Sequence, residues 1–436
     1  MKIPQQPPKV SEILQKNHSE IFKLLENKNI ADFIAKYNQE YLHWDQLRYK
    51  PIPDKAKPEW VWTVMKLFRN SQYRKLKFGN WIFQYTLLDE FQRKLHLLDM
   101  GTAGKLSSSL DSMNISGRER YIISSLMEEA IASSQLEGAA TTRRVAKELL
   151  LQKKKPKNFS EQMIVNGYHT IQKIVKLKEK KITSEMILEL HRNITQDTLK
   201  DKAYEGQWRT NNEVVVADPV EADKIYHQPP NYQDVPRLME EFCEFASNDE
   251  QEFIHPIIKG IILHFLIGYI HPFEDGNGRT ARAIFYWYVL TRGYWLFEFM
   301  AISRIILRAK VKYGLAYLYT ETDENDLTYF IDYNLDCIEE SLHEMEKYIQ
   351  QKQQEQTEAM RLIKSIKNVN LRQAEILKQL IKDPERSVVV NEIISAYGVA
   401  YDTARSDLLY LTKLGYLEMI KVQKRYVFKL SQKKIS

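Results

Sequence analysis

The chain is poor in cysteine, with Cys243 and Cys337 the only two in 436 residues. Two thiols exclude a disulfide framework and a Cys-based zinc cluster, and they suit a reducing compartment. No apolar run approaches the length of a bilayer span, and residues 260–270 are interrupted by His264. The opening MKIPQQPPKV lacks the apolar core of a secretory signal. A soluble, cytoplasmic protein without a membrane partner is therefore expected. Charge of one sign is barely in excess: 63 basic and 57 acidic side chains leave +6, a weak bias toward anionic partners. No repeat of fixed period is evident.

What is present is a globular composition, with 44% hydrophobic and 11% aromatic residues. The length implies two or three domains. Apolar residues recur at three- and four-residue spacing in SEILQKNHSEIFKLLEN, ADFIAKYNQEYLHWDQLRY and VWTVMKLFRNSQYRKL. GNWIFQYTLLDEFQRKLHLLDM reads as another helix, completing a helical N-terminal domain over 1–115. A helical core is expected over 116–345, in which RERYIISSLMEEAIASSQLEG runs to Gly138, a C-terminal cap. Residues 206–230 break the helical period, and turn residues around EVVVAD predict a β-hairpin flap. QQKQQEQTEAM predicts a helical linker within 346–370. Residues 371–436 place three helical segments, with a turn at Gly398, before two alternating strands. That is the order of a winged helix-turn-helix. The fold class is mainly α.

One stretch concentrates chemistry: HPFEDGNGRTAR, His271 to Arg282. Gly276 and Gly278 accept positive φ, so amides around Asn277 can form an anion-binding nest. The helix that follows adds unpaired N–H groups and a positive dipole end. Arg279 and Arg282 lie three apart on one face of its first turn. Asp275 is the hard carboxylate that Mg²⁺ prefers beside phosphates. His271 is the group here that accepts a proton near neutral pH. The competing account is a surface turn between two core helices, for which DGNG is ordinary chemistry.

The stretch resembles the full signature of the Fic family: HxF, an acidic residue, GNGR and a final arginine. The resemblance implies a helical core that transfers AMP from ATP to a Tyr, Ser or Thr hydroxyl of a target protein, releasing pyrophosphate. It implies His271 as the base and Asp275 as the Mg²⁺ ligand. Gly276, Asn277, Gly278 and Arg279 would cradle the α- and β-phosphates, Arg282 would meet the γ-phosphate, and Phe273 would anchor the loop. Tyr313, in KVKYGLAY, falls where the family stacks adenine. GQWR, VVVADP and YHQPP resemble the family's flap, whose edge at Val214, Val215 and Val216 would pair with target backbone. A His264–His271 metal pair would have to span two helical turns, which argues against it.

SSQLEG, containing Ser133 and Glu137, would alone read as a solvent-facing helix end. Beside the central motif it resembles the family's inhibitory motif, [ST]-x-x-x-E-[GN], on a helix at about 121–138; TTR and Asn166 also fit the family's spacing. Glu137 paired with Arg282 would withdraw the γ-phosphate donor and leave ATP in a pose unsuited to in-line attack. Removal of AMP with Glu137 activating water, transfer of another phosphate-containing group, self-modification and a homodimer stay open. A different class is a DNA-binding regulator acting through the C-terminal module, where 12 basic and 7 acidic residues leave +5. Against it, YDTARSDLLYLTKLGYL sets Asp402 and Asp407 beside Arg405, a poor base-reading surface.

Overall fold

The computed structural model describes residues 1–103, 115–176, 181–218, 220–221, 223–248, 253–365, 369–384, 386–422 and 425–431. Four helices open it: α1 (Val10–Glu26), α2 (Lys28–Gln39), α3 (Trp44–Leu47) and α4 (Pro58–Asn70). Ile21, Ile30, Ile34, Leu47 and Trp62 form their shared core. The single helix expected through ADFIAKYNQEYLHWDQLRY is broken. Tyr41 turns to φ 49°, and His43 caps α3 by accepting from the Asp45 amide.

A larger correction follows α4. SQYRKL and GNWIFQY, expected as helical, form the antiparallel hairpin β1 (Arg74–Phe78) and β2 (Trp81–Tyr85), with Phe78 opposite Trp81. Gly79, at φ +55°, and Asn80 make the two-residue turn. Strand period then turns Phe83 and Tyr85 inward. The N-terminal region is helical with a β-hairpin inserted.

The catalytic candidates sit in a helical body: α5 (Asp89–Ala103), α6 (Ile115–Leu136), α7 (Arg143–Leu151), α8 (Phe159–Lys176), α9 (Ser184–Thr195) and α10 (Val235–Ser247). Between α9 and α10 lies the flap, β3 (Val216–Ala217) and β4 (Ile225–His227). At the centre are α11 (Pro256–Ile270) and α12 (Asn277–Thr291), packed together. α11 reads PIIKGIILHFLIGYI and is buried nearly throughout, so it needs no polar stripe. α13 (Ile302–Arg308), α14 (Lys310–Thr322) and α15 (Thr328–Ser365) follow, and α15 runs 38 residues, into the expected linker.

The last elements are α16 (Leu371–Lys382), β5 (Ser387–Val388), α17 (Val390–Tyr397), α18 (Tyr401–Lys413), β6 (Leu417–Val422) and β7 (Arg425–Leu430). Their antiparallel sheet has the order β5-β7-β6, over a core that includes Leu380, Ile393, Leu408 and Phe428. Asp407 departs from expectation. It is buried, accepting from Gln373 Nε2 at 2.8 Å and from Arg372, so it is not on the outer face of α18. Residues 423–424 and 432–436 of the expected wing lie outside the described residues.

Buried charge joins the N-terminal helices to the body. Lys66, its side chain 2% exposed, pairs with Asp323 at 2.9 Å. Tyr41 and Tyr73 donate to Asp326 at 2.7 and 2.6 Å, and Arg69 donates to Tyr329 at 2.9 Å. Lys66→Met leaves buried carboxylates without their cation, a loss of about 3–5 kcal/mol. Glu324→Ala removes a partner that is 73% exposed and 3.8 Å from the same ammonium, worth about 1 kcal/mol at most. Urea unfolding of the two variants should show that contrast.

Candidate active site

α11 ends at His271, whose backbone enters the left-handed region at φ 50°, ψ 58°. A non-glycine residue there is strained and must be held. Its amide donates to the Ile267 carbonyl at 2.9 Å, and its carbonyl accepts from Arg209 Nε at 2.9 Å. Ring Nδ1 meets the Gly268 carbonyl at 3.2 Å. A carbonyl only accepts, so the neutral ring carries its proton on Nδ1 and keeps a lone pair on Nε2. Burial lowers the pKa to about 4, although the Gly268 bond pulls the other way. The His271 ring is therefore neutral at neutral pH.

The loop after it is built on a second histidine. Phe273 is fully buried, its ring stacked on His191 at 3.7 Å with an interplanar angle of 1°. His191 Nδ1 accepts from the Gly206 amide at 2.9 Å, which leaves Nε2–H to donate to the Asp275 carbonyl at 2.8 Å. Burial holds this imidazole's pKa near 4 as well. Asn277 clasps Phe273 from the other side, accepting from its amide at 2.9 Å and donating to its carbonyl at 2.8 Å. The Asn277 side chain thus shapes the loop, and its backbone is what remains for a phosphate. Gly276 sits at φ +84°, where a Cβ would strike Thr195 and His191 of α9.

Both arginines are buried on α12. Arg279 donates to the Ile194 carbonyl at 3.2 Å and lies 3.8 Å from Asp275. Its Nε has no hydrogen-bond partner among the described residues. Asn166 also binds the Ile194 carbonyl, at 3.3 Å. Arg282, 3% exposed, is already claimed. Its Nε donates to Ser133 Oγ at 3.0 Å, and its Nη2 to the Ser133 carbonyl at 3.0 Å and to Glu137 Oε1 at 2.9 Å. Burial raises the Glu137 pKa, but Arg282, then Arg279 and His271, outweigh it and hold the carboxyl below its usual range. A Cβ on Gly278 would collide with Glu137 Oε1. The carboxylate thus lies on the first turn of α12, where helix N-termini favour anions.

The remaining expected residues are dispersed around this centre. The Asp275 side chain is 55% exposed on the loop rim. Tyr313 donates to, or accepts from, His264 Nε2 at 2.7 Å, its ring packed with Tyr317, Phe330 and Tyr333. In the flap, Val216 pairs with His227 and Ala217 with Ile225. Val214 and Val215, expected on the edge, precede the strand. Asn211 holds the Glu213 amide at 2.9 Å and Asn212 the Tyr232 amide at 2.8 Å, bonds that keep the chain in turn geometry until Val216.

Three positioning residues escaped the sequence reading. His191 is one. Arg209, within the quoted GQWR, bonds the carbonyls of His271, Asn211 and Pro230 while its amide donates to Pro272, tying flap to loop. His227 fixes β4 to Tyr269 O and Glu321, each at 2.7 Å. The signal for all three was a polar side chain in an otherwise apolar or turn-rich context, which sequence leaves ambiguous.

Residues 181–289 match the model of the Fic/DOC family. Protein adenylyltransferase Fic of Nematostella vectensis is 27% identical over 165 residues, covering 38% of this chain and 34% of the relative. The Drosophila mojavensis protein of the same name is 28% identical over 161 residues, covering 37% and 28%. The match therefore spans about a third of the curated relatives' length. Fic-1 from C. elegans aligns with a TM-score of 0.49 at 16% identity, covering 77% of this chain and 88% of that one. A Fic family protein from Desulfovibrio desulfuricans aligns at 0.48 and 16%, covering 80% and 98%.

In nitrogen NMR spectra of histidine-labelled protein at about pH 6, the His191 and His271 rings should be neutral, whereas an exposed histidine is largely protonated. A charged His271 ring at that pH would remove it as the resting base.

Proposed function

We propose that the chain is a protein adenylyltransferase that transfers AMP from ATP to a hydroxyl side chain of a target protein, and that Glu137 holds it at rest. The observation that carries this reading is a neutral imidazole with a free Nε2 beside a helix N-terminus bearing two buried arginines. Nε2 takes the proton of the target hydroxyl, and the oxygen attacks the α-phosphorus. The bond to the β-phosphate bridging oxygen breaks, and pyrophosphate leaves with its charge on Arg279, Arg282 and the loop amides. The unpartnered Nε of Arg279 supports a missing anionic ligand. The described residues show no cluster of three His, Cys, Asp or Glu. Mg²⁺ fits nonetheless, because it commonly takes one or two carboxylates with phosphates and water completing its shell; the exposed Asp275 would be its protein ligand. Bound there, Mg²⁺ would neutralise phosphate charge. The partly exposed ring of Tyr313 remains the candidate for adenine, and Val216 the flap residue for target backbone.

Glu137 supports the resting state because its carboxylate occupies both the Arg282 donor and the anion-favouring turn. Glu137→Gly should raise incorporation of α-phosphate label from ATP by about tenfold or more, the scale of a lost interaction worth 1.4 kcal/mol. Adding His271→Ala should abolish it. Unchanged labelling in Glu137→Gly would sink the brake, and a mass increase other than AMP would sink the donor.

One observation favours a second role for the C-terminal module. With Asp407 turned inward, Arg405 and Lys413 of α18 and Lys421 and Arg425 of the strands are exposed cations of this module. On this reading the protein retards duplex DNA in a shift assay, less so as salt rises; no shift at low salt removes the role.

A further inference from the structure

The helix that carries Ser133 and leads into Glu137 is enclosed along its middle. From Ser125 to Ala132 every residue of α6 is buried, including Glu128 and Glu129. A helix resting on one surface would show a solvated stripe at helical period. α6 shows none over these two turns, because two different bodies cover it.

The inner side belongs to the helical body. Glu129 accepts from Tyr286 Oη at 2.8 Å, from the Ser303 amide at 2.8 Å and from the Ser303 hydroxyl. Tyr121 stacks on Tyr348 of α15 at 4.4 Å. The remaining sides are covered by α8, whose Ile164 packs with Met127 and Ile131, by α7, and by α17 of the C-terminal module. Glu128 accepts from Arg143 Nε at 2.7 Å and from Lys147 at 2.9 Å, fixing α7 to α6. Leu151 ends α7, and its carbonyl is one of the four that a helix C-terminus leaves unpaired. Ser395 of α17 donates to it at 2.7 Å. An unbroken run of contacts thus leads from the C-terminal module through α7 to the helix that presents Glu137.

We propose that the C-terminal module is the clamp that keeps Glu137 on Arg282: α17 presses α7 and α6 against the body, and loosening α17 releases Arg282 for a triphosphate. This rests on the reading of Glu137 as a brake. Helix α6 is held by α7 and α8 as well, and the module adds a contact from a region distant in sequence. Any partner that draws the module outward would act as an activator of AMP transfer.

The test uses the full chain in four forms: wild type, Ser395→Arg, Ser395→Ala and Glu137→Gly. Ser395→Arg forces a long cation into the buried contact, and Ser395→Ala removes one hydrogen bond. The clamp predicts faster amide exchange across residues 121–136 in Ser395→Arg, with α11 unchanged. It also predicts about tenfold more AMP incorporation, the change that follows from a loss of roughly 1.4 kcal/mol, with a smaller rise in Ser395→Ala. Combining Ser395→Arg with Glu137→Gly should give no more than Glu137→Gly alone, because both act on one contact. If Glu137→Gly activates while Ser395→Arg leaves α6 exchange or the rate at the wild-type level, the clamp is wrong. If Ser395→Arg does not fold, the same comparison is decided by Ser395→Ala. If Glu137→Gly itself fails to activate, the brake reading falls first, a distinct result.

Discussion

A guanidinium removed from water must be compensated by charge or by several oxygen acceptors. Arg282 is such a group, and its position on the first turn of α12 makes the compensation consequential. Its acceptors are Ser133 of α6 and Glu137 just beyond the end of that helix. One buried charge thus binds two helices that are far apart in sequence. It also ties the end of α6 to the first turn of α12 through the Glu137–Arg282 ion pair.

Around that charge the body holds strained backbone in place. His271 stands in a left-handed conformation because Arg209 and Ile267 secure its peptide groups. The loop keeps its shape because His191 and Asn277 clasp it from opposite sides. The two clasps on the loop come from neutral side chains, in a region where burial keeps both histidines uncharged. The same low polarity that depresses the His271 pKa preserves its lone pair. Structure and chemistry share one cause.

The central motif was legible because its residues are contiguous: histidine, carboxylate, glycines and arginines meet within twelve positions whatever surrounds them. The Glu137–Arg282 pair was legible through resemblance and is present as an ion pair. The hairpin at Arg74–Tyr85 was missed because WIFQY is short and apolar, a pattern shared by strands and buried helices. Asp407 was misjudged because helical period alone does not say which face meets the sheet. In the flap, Val214 and Val215 lie ahead of the paired residues Val216 and Ala217, where asparagine side chains hold neighbouring amides.

The helical class and the clustering of His271, the glycines, Arg279 and Arg282 about one turn were written in the chain itself, because they depend on neighbours within a few residues. Only the tertiary structure decided that His191, Arg209 and His227 support the site, that α6 is enclosed, and that the C-terminal module lies against it. Those facts depend on which distant surfaces exclude water together, and local periodicity carries no information about that pairing.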